Sequence, residues 1–249
     1  MTPGGASPER RVPRLILFDI DGTLIRAAGA GRHALESAFR AVFALEHSAE
    51  IAAEVRFNGR TDPAIIADMA RAAGLAEGDI DRRGDELQRT YLSELRNELA
   101  RPDPRRGVLA GVVPLLDALR SNRSVCLGLL TGNIEEAARI KLRAFALDDY
   151  FVDGGFASDH HDRSEIARIA RAKLSSRTGI AFAPNQTVVV GDTEHDVACA
   201  RANGYSAVLV ESGWIPRERL LATRPDAFFP DFLDRSAVFE ALGVAAPEA

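Results

Sequence analysis

The sequence predicts an α/β fold in which helices cover both faces of a parallel sheet, with an all-helical segment inserted after the first strand. Three observations support this prediction. Short aliphatic runs alternate with helical patterns between residues 108 and 210, which is typical of parallel sheets. The run at 15–18 is apolar throughout, as expected for a strand buried on both faces. Residues 26–107, in contrast, hold helical patterns and no convincing strand.

The predicted sheet domain is built from alternating strands and helices. Aliphatic and β-branched residues predict strands at 15–20, 125–130, 187–191 and 206–210, and a weaker one at 150–157. Apolar residues at helical spacing predict helices at 108–121, 134–145, 164–177 and 195–203. Gly204 fits the glycine that commonly follows the end of a helix.

The inserted segment is predicted to form a small helical domain that is hinged to the sheet domain at two points. Its helices are expected at 32–45, 63–73 and 80–99. Asp62 is a suitable N-cap with Pro63 at the first helical position, and Gly74 is a suitable stop. The predicted divisions are a disordered tail at 1–13, a sheet domain at 14–25 and 108–249, and the helical domain at 26–107.

Composition narrows the classes of partner. The 249 residues include 31 basic and 36 acidic ones, a net charge of −5, so the chain has no general basic field for nucleic acid. No apolar run is long enough to cross a membrane, and the first fourteen residues lack the apolar segment of a signal peptide. Cys126 and Cys199 fit free thiols in a reducing compartment. We therefore expect a cytoplasmic monomer or homodimer whose partner is a small molecule, not nucleic acid or a membrane.

The most informative stretch is the first predicted strand, because it ends in two carboxylates. Asp19 and Asp21 are followed by Gly22 and Thr23. Side chains alternate along an extended chain, so both carboxylates face one side, at the edge where open α/β sheets bind ligands. Two such charges repel unless a cation or a proton lies between them, which indicates Mg²⁺, an acid–base role or both. A strand end with a capped turn is the simpler alternative.

Two later strand ends carry comparable polar groups. Thr131, Gly132 and Asn133 follow the second strand, where a hydroxyl and adjacent N–H groups can bind one phosphate oxygen. Thr-Gly is also a common turn. Asp192 directly follows the strand predicted at 187–191, and Asp196 lies one turn into the next helix on the same side. An N-cap with a favourable first-turn charge would also account for this pair.

Taken in order, these patterns resemble the signature of the haloacid dehalogenase (HAD) superfamily. Asp-x-Asp-Gly-Thr at 19–23 is similar to its motif I, Thr131-Gly132 to motif II, and Gly-Asp-Thr-x-x-Asp at 191–196 to motif IV. The resemblance covers roughly residues 14–235 and implies a three-layer Rossmann-like core. The insert resembles the C1 cap of the phosphoglycolate phosphatase and β-phosphoglucomutase branch, and residues 57–62 resemble the cap loop of phosphoglycolate-phosphatase-like members.

The resemblance implies a role for each polar strand end. Asp19 would be the nucleophile and Asp21 the general acid and base, while Thr131 would stabilise the transferring phosphoryl group. Mg²⁺ would be held by Asp19, the backbone carbonyl of Asp21 and Asp192, with Asp196 steadying the ligands.

Four further residues are expected to bind the substrate. Gly22, Gly132 and Asn133 lie beside the catalytic strand ends. Arg60, in the loop that resembles a cap loop, would bind a second anionic group; a solvated surface arginine is the alternative.

The family also has a basic residue at or near the start of the helix after the third strand. In this sequence the third strand in chain order is the one predicted at 150–157. Arg163 is the best positional candidate, and Lys173 and Arg168 are the alternatives. Many relatives carry Lys-Pro here, so Arg163 is either a departure from the common pattern or a trait of a subfamily. His160 and His161 are adjacent in a loop and are assigned no role.

The implied function is a Mg²⁺-dependent phosphatase that hydrolyses a small phosphorylated metabolite, a phosphoglycolate-like organic acid or a sugar phosphate, through an aspartyl-phosphate. Asp21 favours phosphoryl transfer, because haloacid dehalogenases and phosphonatases lack the second aspartate of motif I. A phosphomutase of the β-phosphoglucomutase type shares all these residues and stays open. A non-catalytic binding protein on the same fold is a further alternative, but it would be expected to have lost at least one of them.

Overall fold

The computed structural model describes residues 13–211 and 214–245, so the tail predicted at 1–13 lies almost entirely outside the described residues. The strands are β1 (Arg14–Phe18), β2 (Ile25–Arg26), β3 (Gly107–Val108), β4 (Val125–Leu130), β5 (Gly154–Gly155), β6 (Thr187–Gly191), β7 (Ser206–Val210) and β8 (Ala227–Phe229). The α-helices are α1 (Ala30–Phe43), α2 (Ser48–Glu54), α3 (Asp62–Ala72), α4 (Glu77–Ala100), α5 (Val112–Arg120), α6 (Glu135–Ala144), α7 (Arg163–Thr178), α8 (Glu194–Ala202), α9 (Arg217–Ala222) and α10 (Arg235–Ala241). Within these ranges, no helix has the length and apolar character needed to cross a membrane.

Strand β1 lies inside a six-stranded parallel sheet with the order β5-β4-β1-β6-β7-β8. Its neighbours are β4 and β6, and Phe18 is level with Leu129 on one side and Val190 on the other. The backbone N–H of Asp19 continues this ladder by donating to the Val190 carbonyl at 2.9 Å. The three strands therefore end at the same edge, and the residues that follow them are neighbours.

Helices pack on both faces of the sheet, which confirms the three predicted layers. Along β1, Ile16 and Phe18 belong to the core formed with α5, α6 and α10. Leu15 and Leu17 point to the other face and pack with α7, α8 and α9. All four side chains are 0% exposed, so β1 is buried on both faces, as its uniformly apolar sequence predicts.

The segment between β2 and β3 is helical, as predicted. Helix α1 packs along α4, and Ala34 and Phe39 of α1 share a buried core with Tyr91 and Leu95 of α4. This core is continuous with the one that contains Ile16 and Phe18 of β1. The three predicted helices correspond to α1, α3 and α4, with ends displaced by at most three residues.

The expectation that residues 26–107 contain no strand is wrong at the two ends of the segment. Arg26 pairs with Gly107 and Ile25 with Val108, so that β2 and β3 form a two-stranded antiparallel ribbon. Two residues on each side are too few to produce a periodic pattern. The ribbon joins the two places where the chain passes between the sheet and helices α1–α4.

Besides β2 and β3, four short helices and strands have no counterpart in the sequence predictions, namely α2, α9, α10 and β8. They have between three and seven residues, which is too short for a clear apolar period. The weak run at 150–157 contains a strand of only two residues, β5.

Strand β5 consists of two glycines because its neighbours approach its backbone closely. A Cβ at Gly155 would lie 2.4 Å from the Ile166 carbonyl oxygen, and one at Gly154 would lie 2.6 Å from the Leu129 carbonyl oxygen. Neither position has room for a side chain. The close approach seats α7, and with it Arg163 at the start of this helix, against the sheet.

We expect Gly155→Ala to destabilise the protein by about 1–3 kcal/mol, because the added methyl group overlaps backbone atoms of α7. Gly84→Ala is the matched control, since position 84 lies inside α4 with nothing within 4 Å of an added Cβ. Alanine there should stabilise by about 0.5–1 kcal/mol. Urea unfolding measures both changes. A Gly155→Ala variant as stable as the wild type would contradict the close packing of α7 on β5.

Candidate active site

Residues from three separate sequence motifs meet at the carboxyl edge of the sheet. Asp19 follows β1, Thr131 follows β4 and Asp192 follows β6, and all three are buried. Gly22 has a φ of 84°, and a Cβ there would lie 2.2 Å from the Asp192 carboxylate. The turn after β1 therefore needs glycine both for its backbone conformation and for the space it leaves.

Asp19, Asp192 and Asp196 form a cluster of carboxylates, with one oxygen from each lying within 4.8 Å of the others. Among the described residues, Arg163 pairs with this cluster, 3.3 Å from Asp19 and 2.5 Å from Asp196. One cation does not offset three buried carboxylates, and oxygen ligands with excess negative charge fit Mg²⁺. The Asp21 side chain lies outside the cluster, and ligation through its backbone carbonyl stays a prediction.

Asp196 uses both of its carboxylate oxygens in protein contacts. Oδ2 accepts from the backbone N–H groups of Asp192 and Thr193, at 3.2 and 3.0 Å, and from the Thr193 hydroxyl at 2.7 Å. Oδ1 accepts from Arg163. A Cβ at Gly191 would lie 2.1 Å from the Asp196 carboxyl carbon, so this position also needs glycine. Asp196 thus holds the loop after β6, which favours the predicted steadying role over direct ligation.

Of the three basic candidates, Arg163 is the one that reaches the strand ends. It is the first residue of α7 and is buried. Lys173 instead pairs with both oxygens of Asp159, at 2.7 and 2.8 Å. Arg168 pairs with Glu165 at 2.8 Å on the exposed side of the helix. The structure therefore supports Arg163 in the position that the family fills with a lysine or arginine.

Burial raises the pKa of Asp19 to about 6. The Arg163 guanidinium opposes this shift, and the carboxylates of Asp196 and Asp21 add to it. Positive charge beyond that of Arg163 would lower this pKa and favour the ionised carboxylate that a nucleophile needs. A divalent cation supplies such charge.

Lys141 is a residue of the site that the motifs do not identify. Its side chain is 6% exposed, and Nζ donates to Asp21 Oδ2 at 2.5 Å and to Asn133 Oδ1 at 2.6 Å. The helical period of the sequence could have indicated that Lys141 is buried, since it lies on the buried stripe of α6 with Ala138 and Leu142. A lysine on an apolar stripe indicates a buried polar partner.

The loop at 57–62 connects α2 to α3 and lies against the strand ends. A Cβ at Gly132 would lie 2.2 Å from the Arg60 carbonyl oxygen. A Cβ at Gly59 would lie 3.0 Å from the Thr193 hydroxyl. The loop therefore contacts both the turn after β4 and the turn after β6.

The Arg60 side chain, predicted to bind a second anionic group, pairs with Asp68 of α3 at 2.5 Å. Asp68 also pairs with Arg71 at 2.8 Å, and the two guanidinium groups, Arg71 foremost, lower the pKa of Asp68. Because Arg60 also lines the cavity at the strand ends, a substrate anion would compete with Asp68 for its guanidinium. The specificity role stays a prediction.

The prediction that Asp62 caps α3 is wrong. The N-cap is Thr61, and Asp62 is the first residue of the helix, followed by Pro63. The Asp62 N–H donates to the Gly132 carbonyl at 2.7 Å, and its Oδ2 accepts from the Ile134 N–H at 2.9 Å. These hydrogen bonds attach the start of α3 to the turn after β4.

Burial also raises the pKa of Asp62, from 3.8 to about 6, with Lys141 opposing the shift and Asp21 adding to it. Because folding raises this pKa, the Asp62 carboxyl group contributes its full stabilisation of the fold below about pH 4, and this contribution is lost as the pH rises through 6. Asp62→Asn keeps an acceptor for the Ile134 N–H but does not titrate. We expect the free energy of unfolding of this variant, relative to that of the wild type, to rise by up to about 3 kcal/mol between pH 4 and pH 7. Urea unfolding at the two pH values tests this; a difference that does not vary with pH would contradict it.

A cavity of about 220 Å³ lies between the strand ends and helices α1, α3 and α4. This volume is below the roughly 300–1,000 Å³ of pockets for drug-sized ligands, so it suits a substrate of few atoms. Residues from both sides line it, among them Asp19, Asp21, Asn133, Gly31, Ile65 and Tyr91.

Comparisons with known proteins agree on the family. The model of haloacid dehalogenase-like hydrolases matches residues 13–204. A phosphoglycolate phosphatase from Rhodospirillum rubrum is 30% identical over 225 residues, which cover 89% of this chain and 88% of the relative. The tyrosine-protein kinase PtkA of Mycobacterium tuberculosis is 30% identical over 210 residues, which cover 84% of this chain and 65% of PtkA.

Solved structures agree on the fold. CbbY from Rhodobacter sphaeroides, determined in complex with phosphate, matches with a TM-score of 0.68 and 16% identity, covering 90% of this chain and 96% of CbbY. At this identity the likeness concerns the fold alone. Since the family model spans more than half of the sequence and the motifs meet in one buried site, the chain belongs to the haloacid dehalogenase-like hydrolases, as a phosphoglycolate-phosphatase-like member.

Proposed function

We propose that this hydrolase is a phosphatase that cleaves a small phosphorylated metabolite through an aspartyl-phosphate on Asp19, with Mg²⁺ as cofactor. The observation that carries the proposal is the position of Asp19, buried at the cavity with Arg163 3.3 Å from its carboxylate and with Thr131 and Asp192 at the adjacent strand ends. The family, and the phosphatase named among its relatives, support the same class of reaction.

In the first half-reaction, a carboxylate oxygen of Asp19 attacks phosphorus while the bond to the leaving oxygen breaks. Asp21 gives its proton to that oxygen. The Thr131 hydroxyl accepts from the backbone and side-chain N–H groups of Asn133, at 3.2 and 2.7 Å, so its own proton is available to a phosphoryl oxygen. The Arg163 guanidinium adds positive charge beside the same oxygens.

In the second half-reaction, water attacks the phosphorus of the aspartyl-phosphate and the bond to Asp19 breaks, which releases phosphate. Asp21, now a carboxylate, takes the proton of the attacking water and returns to its starting state. Phosphate ester hydrolysis is among the slowest uncatalysed reactions, and two steps with a covalent intermediate divide its barrier.

The donor set beside Asp19 fits Mg²⁺. Asp19 and Asp192 would hold the ion together with the backbone carbonyl of Asp21, while Asp196 keeps the Asp192 loop in place. When bound, Mg²⁺ supplies positive charge that offsets the carboxylates and the phosphoryl oxygens.

Helices α1–α4 would act as a C1 cap over this site. Residues of α1, α3 and α4 line one side of the cavity, and the loop at 57–62 contacts the strand ends. Movement of the helices would admit substrate and then exclude water. The strand-end residues bind only the phosphoryl group, which all substrates share, so selection of the leaving group falls to these helices. The small cavity favours a phosphorylated organic acid, and 2-phosphoglycolate is the first candidate.

A phosphomutase of the β-phosphoglucomutase type is the alternative, because it would use the same residues and pass the phosphoryl group from Asp19 to a sugar hydroxyl instead of water. The convergence of Asp19, Thr131 and Asp192 argues against a non-catalytic binding protein. The name of the relative PtkA adds transfer to tyrosine as an outcome to test.

The proposal predicts Mg²⁺-dependent phosphate release from p-nitrophenyl phosphate and from a panel of organic-acid and sugar phosphates. Excess EDTA should abolish it. Asp19→Asn should lower the rate by about 10⁴-fold or more, because the nucleophile is lost. Asp148→Asn, which alters a carboxylate paired with Arg139 and Arg143, is the control with unchanged rate.

Other results would redirect the proposal. Phosphate release by Asp19→Asn within tenfold of the wild type would remove Asp19 from the nucleophile role. Interconversion of glucose phosphates without release of phosphate would favour the mutase. Labelling of a tyrosine peptide from ATP would favour transfer to protein.

For Arg60, we expect Arg60→Ala to lower kcat/KM for 2-phosphoglycolate by about 10-fold to 100-fold, because a guanidinium–carboxylate contact is lost. The same change should leave p-nitrophenyl phosphate, which has no second anion, nearly unaffected. Arg71→Ala, which removes the other partner of Asp68, serves as the control. Equal losses on both substrates, or none on either, would end the specificity role and leave the phosphatase proposal intact.

A further inference from the structure

Lys141 is a buried cation that none of the family motifs explains. It lies on α6 among apolar neighbours, and its side chain is 6% exposed. A lysine is rarely buried to this extent unless its charge is paired, because the ammonium group loses its hydration. An apolar residue would fill the same space without this cost. The polar contacts of Lys141, and not packing alone, therefore account for a lysine at this position.

Those contacts fix one oxygen of the Asp21 carboxylate. Asp21 Oδ2 accepts from Lys141 Nζ at 2.5 Å and from the side-chain amide of Asn133 at 3.0 Å. Asn133 Oδ1 in turn accepts from Lys141 at 2.6 Å, which closes a triangle of three side chains. Within residues 13–211 and 214–245, Oδ1 of Asp21 has no hydrogen-bond partner, and the side chain is 41% exposed beside the cavity.

Three of the other cations along the cavity pair with different carboxylates. Arg163 pairs with Asp19 and Asp196. Arg32 pairs with Glu36 at 3.2 Å, and Arg60 pairs with Asp68. Arg26 is exposed at the ribbon. Among the residues that the structure describes, Lys141 is thus the cation that contacts the second aspartate of the Asp-x-Asp pair, and Arg163 contacts the first.

We propose that Lys141 is a positioning residue for Asp21: with Asn133 it holds Oδ2 so that Oδ1 faces the leaving oxygen of the substrate. The inference rests on the proposed phosphatase function. In the first half-reaction the proton on Oδ1 moves to the leaving oxygen as the bond from that oxygen to phosphorus breaks. Lys141 itself neither gains nor loses a proton in this step.

Positioning of this kind has a specific kinetic consequence. Displacement of a general acid lowers the reaction rate only when the leaving oxygen must be protonated as it departs. Nitrophenolate is a stable anion and leaves phosphorus without one, whereas phenolate is more basic and depends more strongly on the acid. A misplacement of about 1 Å can cost on the order of 100-fold when proton transfer limits the step. The loss caused by changing Lys141 should therefore grow with the basicity of the leaving group.

The experiment compares kcat/KM for phenyl phosphate and p-nitrophenyl phosphate, two esters of similar shape, in Lys141→Met and Lys141→Gln. We expect a loss of about 100-fold for phenyl phosphate and a loss of a few-fold for p-nitrophenyl phosphate. Because the result is a ratio of two substrates on one sample, a partly unfolded variant does not distort it. Arg143→Gln, an exposed cation on the same helix that pairs with Asp148, should leave both rates unchanged.

Asp21→Asn provides a further test, since it removes the group that Lys141 would position. In that background, Lys141→Gln should cause no additional loss that depends on the leaving group. Equal losses on both esters, as a role in stability or in phosphate binding would give, overturn the inference, and so does the absence of any loss. A wild-type protein that releases phosphate from neither ester contradicts the proposed function itself, which separates the two failures.

Discussion

The site is governed by one electrostatic constraint: the carboxylates gathered at the ends of β1 and β6 are buried, and their charge must be offset. Arg163 meets part of this need by joining Asp19 and Asp196. It can do so because α7 lies against the two glycines of β5, which bring the start of the helix to the strand ends. A packing feature at one edge of the sheet thus supports the charge pairing near its centre, and the remaining negative charge suits a divalent cation.

The two aspartates of the Asp-x-Asp pair have separate environments, and this division suits separate chemical roles. Asp19 is buried and contacts a guanidinium from α7, on one face of the sheet. Asp21 is partly exposed to the cavity and contacts an ammonium group from α6, on the other face. A nucleophile needs a fixed approach to phosphorus, whereas an acid that later acts as a base must be accessible to alcohol and water.

Helices α1–α4 are joined to the site by more than the ribbon of β2 and β3. Asp62, at the start of α3, hydrogen-bonds the backbone of Gly132 and Ile134, which flank Asn133. Asn133 in turn contacts Thr131 and Asp21. Displacement of α3 must therefore either break the hydrogen bonds of Asp62 or move the turn after β4 that contains Asn133. Closure of a cap and ordering of the phosphoryl-binding groups would then be one event, consistent with substrate selection by the helices.

The sequence alone determined the long elements and the polar strand ends, because their signals are local: an apolar run, a helical period, a carboxylate or hydroxyl directly after a strand. It left open which of three basic residues serves the site, and it missed Lys141 and misassigned Asp62. The contacts of these two residues join positions 120 and 72 residues apart. They exist because β1 and β4 are adjacent and because α3 and α6 reach the ends of these strands. Strand order and helix packing are set by the whole chain, so only the tertiary structure could decide them.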